Sequence, residues 1–202
     1  YLILIASLKL AVALRQQGRL QRVIEVCQQQ SELVTESGLS QSAIVGSLFA
    51  GWGEVLCEWN NLDKAIDLAE KGIEHSELGS DVGALGWSYL CLVRVLFSGQ
   101  DLAGAEDAIH KMEKVGRESS VPPWITNQMA AWQVRIWLAQ DKLEAASQWM
   151  QECGLSLDGE LPFLRETEYL ALARIFIAQG RLTEATQLLQ RLIEAAEAGD
   201  RT

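Results

Sequence analysis

The sequence is poor in the residues that interrupt helices and build tight turns between strands. Only 3 of its 202 residues are proline and 16 are glycine, and Asp158-Gly159 is its single Asn-Gly or Asp-Gly pair. No stretch sustains the alternation of apolar and polar residues that marks a half-buried strand, which argues against hairpin-linked sheets. The composition is instead rich in Ala, Leu, Glu and Gln, which favour helix. These features predict an all-α fold.

Basic residues are also scarce, with 17 Lys and Arg against 27 Asp and Glu and a formal net charge of −10. Nucleic acids and anionic membrane surfaces are bound through clustered positive charge, so we expect this chain to contact neither. No run of 18 apolar residues is present. The apolar stretch over 1–14 contains Lys9 and no signal-peptide cleavage pattern, so we interpret it as a core helix of a cytoplasmic protein.

The sequence offers no residue set for catalysis, a cofactor or a metal. Its four cysteines form no Cys-x-x-Cys pair, and we expect buried free thiols; they are Cys27, Cys57, Cys91 and Cys153. The two histidines, His75 and His110, have no His or Cys one helical turn away, so we predict solvated surface positions. Neither a Gly-x-x-x-x-Gly-Lys phosphate loop nor a Gly-x-Ser-x-Gly elbow occurs. We therefore predict a protein that binds rather than catalyses.

A repeat of about 40 residues runs through the chain. Five similar junctions each follow one apolar stretch and precede another, and their leucines lie 39 to 42 residues apart, at Leu20, Leu62, Leu102, Leu143 and Leu182. A period of this size is typical of a solenoid of helix pairs. In most junctions a Gly, Asn or Asp stands two residues before the leucine, where it can end a helix in the left-handed conformation.

Side-chain size around each leucine also repeats. The residue six positions before it is always large, namely Leu14, Leu56, Leu96, Trp137 or Phe176, whereas the residue nine before it is mostly small. Facing small and large positions let two helices interlock. This pattern resembles the tetratricopeptide repeat, although the period is near 40 rather than 34 and Gln133 breaks one apolar position. The resemblance implies a right-handed superhelix of about five antiparallel helix pairs, a tetratricopeptide-like solenoid.

We predict one helical-repeat domain over residues 1–202. Its helix pairs cover about 1–36, 41–78, 82–117, 123–153 and 162–198. The first helices are expected over 1–16, 41–58, 82–98, 123–139 and 162–178, and the second over 20–36, 63–78, 102–117, 143–153 and 183–198. Both chain ends read as cuts inside a continuing array, so we expect a piece of a longer protein. The longest loop, 154–162, is where we expect any joint in the array.

Two segments show a narrower likeness. The stretch Ala-Arg-Ile-Phe-Ile-Ala-Gln-Gly-Arg-Leu-Thr-Glu-Ala over 173–185 and the stretch over 195–201 are similar to repeats of the large ATP-dependent LuxR-family regulators of the MalT type. The resemblance implies a sensor segment that binds a small inducer and helps self-association, between an ATPase module and a helix-turn-helix. ATP and DNA would then be bound only outside this chain. The alternative is a general protein–protein scaffold unrelated to transcription.

The positions eight residues before each junction leucine form the candidate binding row. They are Val12, Glu54, Arg94, Arg135 and Arg174. In a tetratricopeptide array this position lies on the concave side of the first helix, so stacked repeats would align these side chains. Together with nearby residues they define what we call the candidate groove, which comprises Glu54, Trp87, Arg94, Gln128, Trp132, Arg135 and Arg174.

Two interpretations of the candidate groove remain open. Arginine offers paired donors to a carboxylate or phosphate, and tryptophan offers a flat stacking surface. The groove would then bind a small-molecule inducer or an acidic peptide segment. Alternatively, the arginines pair with the surplus Glu and Asp of the chain, and the tryptophans fill the core.

Overall fold

The computed structural model describes residues 2–37, 42–157, 159 and 161–199. This part of the chain contains ten α-helices and one 3-10 turn, and no strand. The helices are α1 (Leu2–Gln16), α2 (Leu20–Ser37), α3 (Ala43–Glu58), α4 (Leu62–Leu78), α5 (Val82–Ser98), α6 (Leu102–Glu118), α7 (Pro123–Ala139), α8 (Leu143–Glu152), α9 (Glu166–Ala178) and α10 (Leu182–Ala198). The predicted all-α fold of helix pairs is confirmed. Only the start of α9 differs clearly from the predicted bounds, because the 3-10 turn Phe163–Arg165 precedes it.

The chain divides into two compact units, Tyr1–Pro122 and Pro123–Thr202. In the first unit the first helices α1, α3 and α5 lie side by side, and α2, α4 and α6 pack against them. In the second unit α9 packs against α7, α8 and α10. Among the described residues no helix is both long and apolar enough to cross a membrane. The single domain over 1–202 stays a prediction.

All five junctions inside the helix pairs share one backbone geometry. The residue two before the leucine has a positive φ in each, at Gly18, Asn60, Gln100, Asp141 and Gly180. The next N–H donates to the carbonyl oxygen five residues earlier, over 2.8–2.9 Å, as in Arg19 to Leu14 and Lys142 to Trp137. This is the Schellman ending, which satisfies carbonyls left open at the helix terminus. The predicted left-handed position is confirmed, and Gln100 adopts it without being Gly, Asn or Asp.

The core of the first unit lies between α1, α3 and α5 on one side and their paired helices on the other. Helix α3 is the most deeply buried, since 11 of its 16 residues are buried. Glycine and serine line the contact of α3 with α4, where Gly46 meets Ser76, and the contact of α4 with α5, where Gly72 meets Ser88. Small side chains let the helix backbones come close, which aligns the first helices and thereby fixes where their exposed side chains stand.

The expected joint in the loop 154–162 is wrong. This loop lies inside the second unit, and the division falls between Pro122 and Pro123. The loop is tied down on both sides: Arg165 Nη2 donates to the Cys153 carbonyl oxygen over 2.9 Å, and Tyr169 Oη donates to the Ser156 carbonyl oxygen over 3.2 Å. Leu155 adds apolar contact with the core of the second unit. Loop length was therefore a poor guide to where the chain divides.

One histidine also departs from its prediction. His75 was predicted to be solvated, but it is half-buried, and its ring packs against Phe49 with centroids 5.3 Å apart. The stacking of α4 against α3 covers this face of α4. His110 is exposed, as predicted. All four cysteines are free; Cys27 and Cys91 are buried, as predicted, whereas Cys57 and Cys153 are half-buried.

Candidate functional site

The first unit contains an ionic cluster that crosses its three first helices. Glu54 of α3 is buried, with 3% of its side chain exposed, and stands between Arg15 of α1 and Arg94 of α5. Glu54 Oε2 is 2.7 Å from Arg15 Nη1, and Glu54 Oε1 accepts a hydrogen bond from Arg94 Nη1. The two arginine side chains are 32% and 25% exposed. One buried carboxylate thus pairs with two guanidinium groups that solvent still reaches; Arg94 hydrogen-bonds it, whereas its Oε2 near Arg15 accepts no hydrogen bond from the described residues.

Trp87 lies two helical turns before Arg94 on α5 and packs beside this cluster. A Cβ placed on Gly51 of α3 would be 3.8 Å from the Trp87 ring. A small gap of about 10 Å³, room for one water molecule at most, lies at this point, and Arg15, Gly51, Trp87 and Val12 are among its lining residues. Trp87 is half-buried, so its indole closes one side of the gap while remaining accessible.

In the second unit the candidate groove residues lie on α7 and α9. The Arg135 guanidinium carbon is 3.8 Å from the centroid of the Trp132 ring, a cation–π contact within one turn of α7. Gln128 lies one turn earlier on the same helix and is half-buried. Arg174 of α9 is exposed, and its Nη1 donates to the Leu170 carbonyl oxygen of its own helix over 3.1 Å. Each cation here is therefore oriented by groups on its own helix.

The structure brings the predicted residues together in two groups, one in each unit. Glu54 and Arg94 form an ion pair, and Trp132 stacks with Arg135. Arg15 belongs to the first group and was missed by sequence reasoning. Its signal was present, because Arg15 lies one turn after Val12, which occupies the candidate row on α1. A search of the row alone could not find a residue that reaches the cluster from the next turn.

Other polar side chains have structural roles. Arg165 donates to both carboxylate oxygens of the buried Glu168, Nε over 2.7 Å and Nη2 over 2.9 Å.

Burial raises the pKa of the Cys27 thiol to about 12 and raises the pKa of Cys91 well above its usual range. Such thiols are protonated at neutral pH and do not act as nucleophiles. Within the described residues no group of three or more His, Cys, Asp or Glu is placed to hold a metal ion.

Comparison with known proteins identifies related sequences over nearly the whole chain. The family model described as the MalT-like TPR region matches residues 2–202. The HTH-type transcriptional regulators MalT of Yersinia pestis (strain Pestoides F) and Yersinia pseudotuberculosis (strain YPIII) are each 28% identical to this chain over 189 residues. That alignment covers 89% of this chain and 20% of each regulator. The chain spans about a fifth of the length of the curated relatives it matches.

Solved structures of similar fold include TPR-like repeats. A Podosopora anserina kinesin light chain-type protein with nearly identical TPR-like repeats superimposes with a TM-score of 0.66 and 16% sequence identity. The match covers 98% of this chain and 97% of that chain, and the Q17M variant of the same protein gives a TM-score of 0.67. At this identity the likeness establishes a TPR-like fold alone.

Proposed function

Because this chain belongs to the MalT-like TPR region family, we propose that it is the sensor segment of a bacterial transcriptional regulator. Its role is to bind a small-molecule inducer or an acidic protein segment through the concave groove of its first helices, and to contribute to self-association. ATP and DNA are bound by other parts of the regulator, which acts in the cytoplasm. The segment itself performs no chemical step.

The observation that carries this proposal is the ordered pairing of cations and aromatics on the first helices. The chain has a net charge of −10, yet Arg94 and Arg135 stand on first helices, each held in one orientation. Arg94 is held by Glu54, and Arg135 by the ring of Trp132. Groups fixed in this way lose little conformational entropy when a ligand binds, which favours recognition.

Ligand binding can regulate the protein only through a difference in affinity between two states. An inducer that binds the active and inactive forms equally shifts nothing, however tightly it binds. The groove must therefore differ between the two states of the regulator. Within each unit the helix pairs contact their neighbours, so a rotation of one pair can alter the groove residues of the next.

A second candidate function is a general protein–protein scaffold without a role in transcription. The TPR-like fold supports it, because repeats of this kind present extended concave surfaces to peptides. The two candidate functions predict different effects of ligand binding on DNA binding. Ligand binding to a sensor changes promoter occupancy by the whole regulator, whereas a scaffold binds its peptide with no effect on DNA binding.

The test is a tryptophan fluorescence titration of the 202-residue chain with a panel of sugars, aromatic acids and acidic peptides. It is repeated on Arg94→Ala and Arg135→Ala, with Arg22→Ala as the matched control. Arg22 lies on the second helix α2 and pairs with Glu25, three residues away, at an exposed site. We expect a saturable change in the wild type and in Arg22→Ala that both groove variants lose while their helicity stays intact. A panel without any response would refute the groove as a ligand site.

A further inference from the structure

We propose that a pocket at the start of α3 binds a small carboxylate with an aliphatic tail. The pocket has a volume of about 420 Å³ and is lined by α1, by the first turns of α3 and by the turn between α4 and α5. We call it the α3 pocket. None of its described lining residues belongs to the candidate groove, so this inference goes beyond the proposed function and does not depend on it.

The N-terminus of α3 presents open hydrogen-bond donors at this pocket. Ser42 is the N-cap residue, but its side chain accepts no hydrogen bond from the first turn. The N–H groups of Ala43 and Ile44 have no intrahelical acceptor at this position, and neither donates to another described residue. Asp81 shows how α5 differs, because its carboxylate accepts two backbone hydrogen bonds at the start of that helix. Open N–H groups and the helix dipole together favour an anion at the start of α3.

Ser47 provides independent evidence for a ligand in the α3 pocket. It lines the pocket and is 7% exposed, yet its hydroxyl makes no hydrogen bond to another described residue. The buried hydroxyls of Ser76 and Ser88 instead donate to the carbonyl oxygen four residues earlier. A buried polar group without a partner costs free energy. An acceptor oxygen that enters the pocket would satisfy the Ser47 hydroxyl.

The charges around the pocket favour a singly charged anion. Lys9 of α1 lines the pocket, is exposed and forms no ion pair with a described acidic residue. Asp81 also lines it, but its carboxylate already caps α5. A carboxylate is therefore matched by the Lys9 ammonium and the start of α3. A phosphate dianion would bring a second negative charge towards Asp81 in a chain of net charge −10.

The apolar side chains of the pocket explain why the carboxylate should have an aliphatic tail. Ile5 and Leu8 of α1 and Ile44 of α3 line it, and all three are half-buried. An aliphatic tail that covers these side chains is removed from water together with them, which favours binding. Gly79 contributes only backbone, because a Cβ there would be 2.4 Å from the Cβ of Ala43. This close contact holds the turn before α5 against the start of α3.

The experiment measures the binding of 4-methylpentanoate and 4-methylpentanamide to the 202-residue chain by calorimetry. The two probes share their aliphatic tail, and only the acid is charged at pH 7. We expect the acid to bind about tenfold or more tightly than the amide. Equal binding of the two, or binding of neither, would overturn the proposal. Inorganic phosphate is the third probe, and tighter binding of phosphate than of the acid would overturn the assignment of a carboxylate.

Three variants and a control locate the site. Ser47→Ala should weaken acid binding about fivefold or more with unchanged helicity, because only the hydroxyl is lost. Lys9→Gln should weaken it about threefold or more, since the charge-assisted contact is lost. Ser42→Asp should abolish it, because a carboxylate at the N-cap would itself accept from the open N–H groups. Lys64→Gln, at an exposed position of α4, is the control and should leave acid binding unchanged.

The variants also separate a binding site from a structural role and from the candidate groove. Ser42→Asp should raise the melting temperature while acid binding is lost, a combination that a merely structural effect does not produce. Acid binding that persists unchanged in Ser47→Ala and Ser42→Asp would overturn the α3 pocket as its site. Arg94→Ala should leave acid binding unchanged. Acid binding lost in Arg94→Ala but kept in Ser47→Ala would support the proposed function and overturn this inference.

Discussion

Gly46 of α3 stands so close to Ser76 of α4 that a Cβ on Gly46 would lie 2.1 Å from Ser76 Oγ. The carbonyl oxygen of Gly72 would be 2.6 Å away from the same Cβ. A side-chain hydroxyl can rotate, but a carbonyl within a helix cannot yield without moving the helix. This contact therefore fixes the distance between α3 and α4, and with it the position of Glu54 two turns further along α3.

Gly46→Ala should destabilise the first unit. Overpacking against backbone costs about 1–3 kcal/mol, and the better helix propensity of alanine offsets only part of it. The matched control is Gly51→Ala on the same helix, where a Cβ meets only the Trp87 ring at 3.8 Å. That variant should be neutral or more stable by up to about 1 kcal/mol. Urea unfolding midpoints followed by circular dichroism measure both, and equal effects would contradict the close contact.

The junction geometry predicts that Gln100→Gly stabilises the chain. Gln100 has φ +64°, a conformation that costs residues other than glycine about 1–2 kcal/mol. Glycine there should therefore raise the free energy of unfolding by about 1 kcal/mol, as far as its greater freedom in the unfolded chain allows. Thermal unfolding of the variant measures the gain.

Gly18→Ala is the reciprocal control. Gly18 has φ +70°, and a Cβ on it meets nothing within 4 Å, so only backbone strain changes. We expect a loss of about 1 kcal/mol. A loss in Gln100→Gly, or no loss in Gly18→Ala, would show that the positive φ at these positions does not strain a residue with a side chain.

The fold could be read from the sequence because its determinants are local and repeat. The leucine period placed each junction, and the left-handed residue follows from the helix ending itself. Gln100 shows that position in the repeat decides this geometry even where residue type does not favour it. Contacts between helices were harder to predict from the sequence. His75 is half-buried because Phe49 of the preceding helix covers it, which no periodicity within α4 reveals.

The candidate site could be predicted only in part. Glu54 and Arg94 are one repeat apart, so a ladder argument makes them neighbours, and they pair. The repeat positions did not include Arg15, because this residue reaches Glu54 from a different turn of its helix. A sequence pattern indicates which faces align, but the reach of a long side chain across that face depends on rotamers and packing, which the pattern does not contain.

The buried thiol of Cys27 predicts a loss of stability at high pH. Burial raises its pKa to about 12 from an ordinary value of 9.0, so the folded state holds the proton more tightly than the unfolded state. The associated stability is fully present below pH 9 and is lost as pH rises towards 12. One such thiol adds a slope of up to about 1.4 kcal/mol per pH unit.

Cys27→Ala isolates this effect. The variant should be less stable than the wild type at pH 7, because a packed side chain is lost, but its free energy of unfolding should fall less steeply between pH 9 and 10.5. The readout is the difference in slope between the two proteins, since Tyr89, whose pKa burial also raises, contributes equally to both. Identical slopes would mean that the Cys27 thiol reaches solvent in the folded state.

The hydrogen bonds of Arg165 predict that the order of the loop before α9 depends on the guanidinium group of this residue. Its Nε and Nη2 donate to both carboxylate oxygens of Glu168, and Nη2 also donates to the Cys153 carbonyl oxygen over 2.9 Å. Arg165→Lys keeps the charge but loses the fork, so Glu168, 7% exposed, is left poorly paired. We expect the free energy of unfolding to fall by about 1–3 kcal/mol and amide hydrogen exchange over 153–157 and 161–170 to become faster.

Arg22→Lys is the control, because Arg22 and Glu25 form an ion pair of the same spacing at 59% and 44% exposure, where such a pair contributes little. Equal effects of the two substitutions would show that burial of Glu168 does not make the difference.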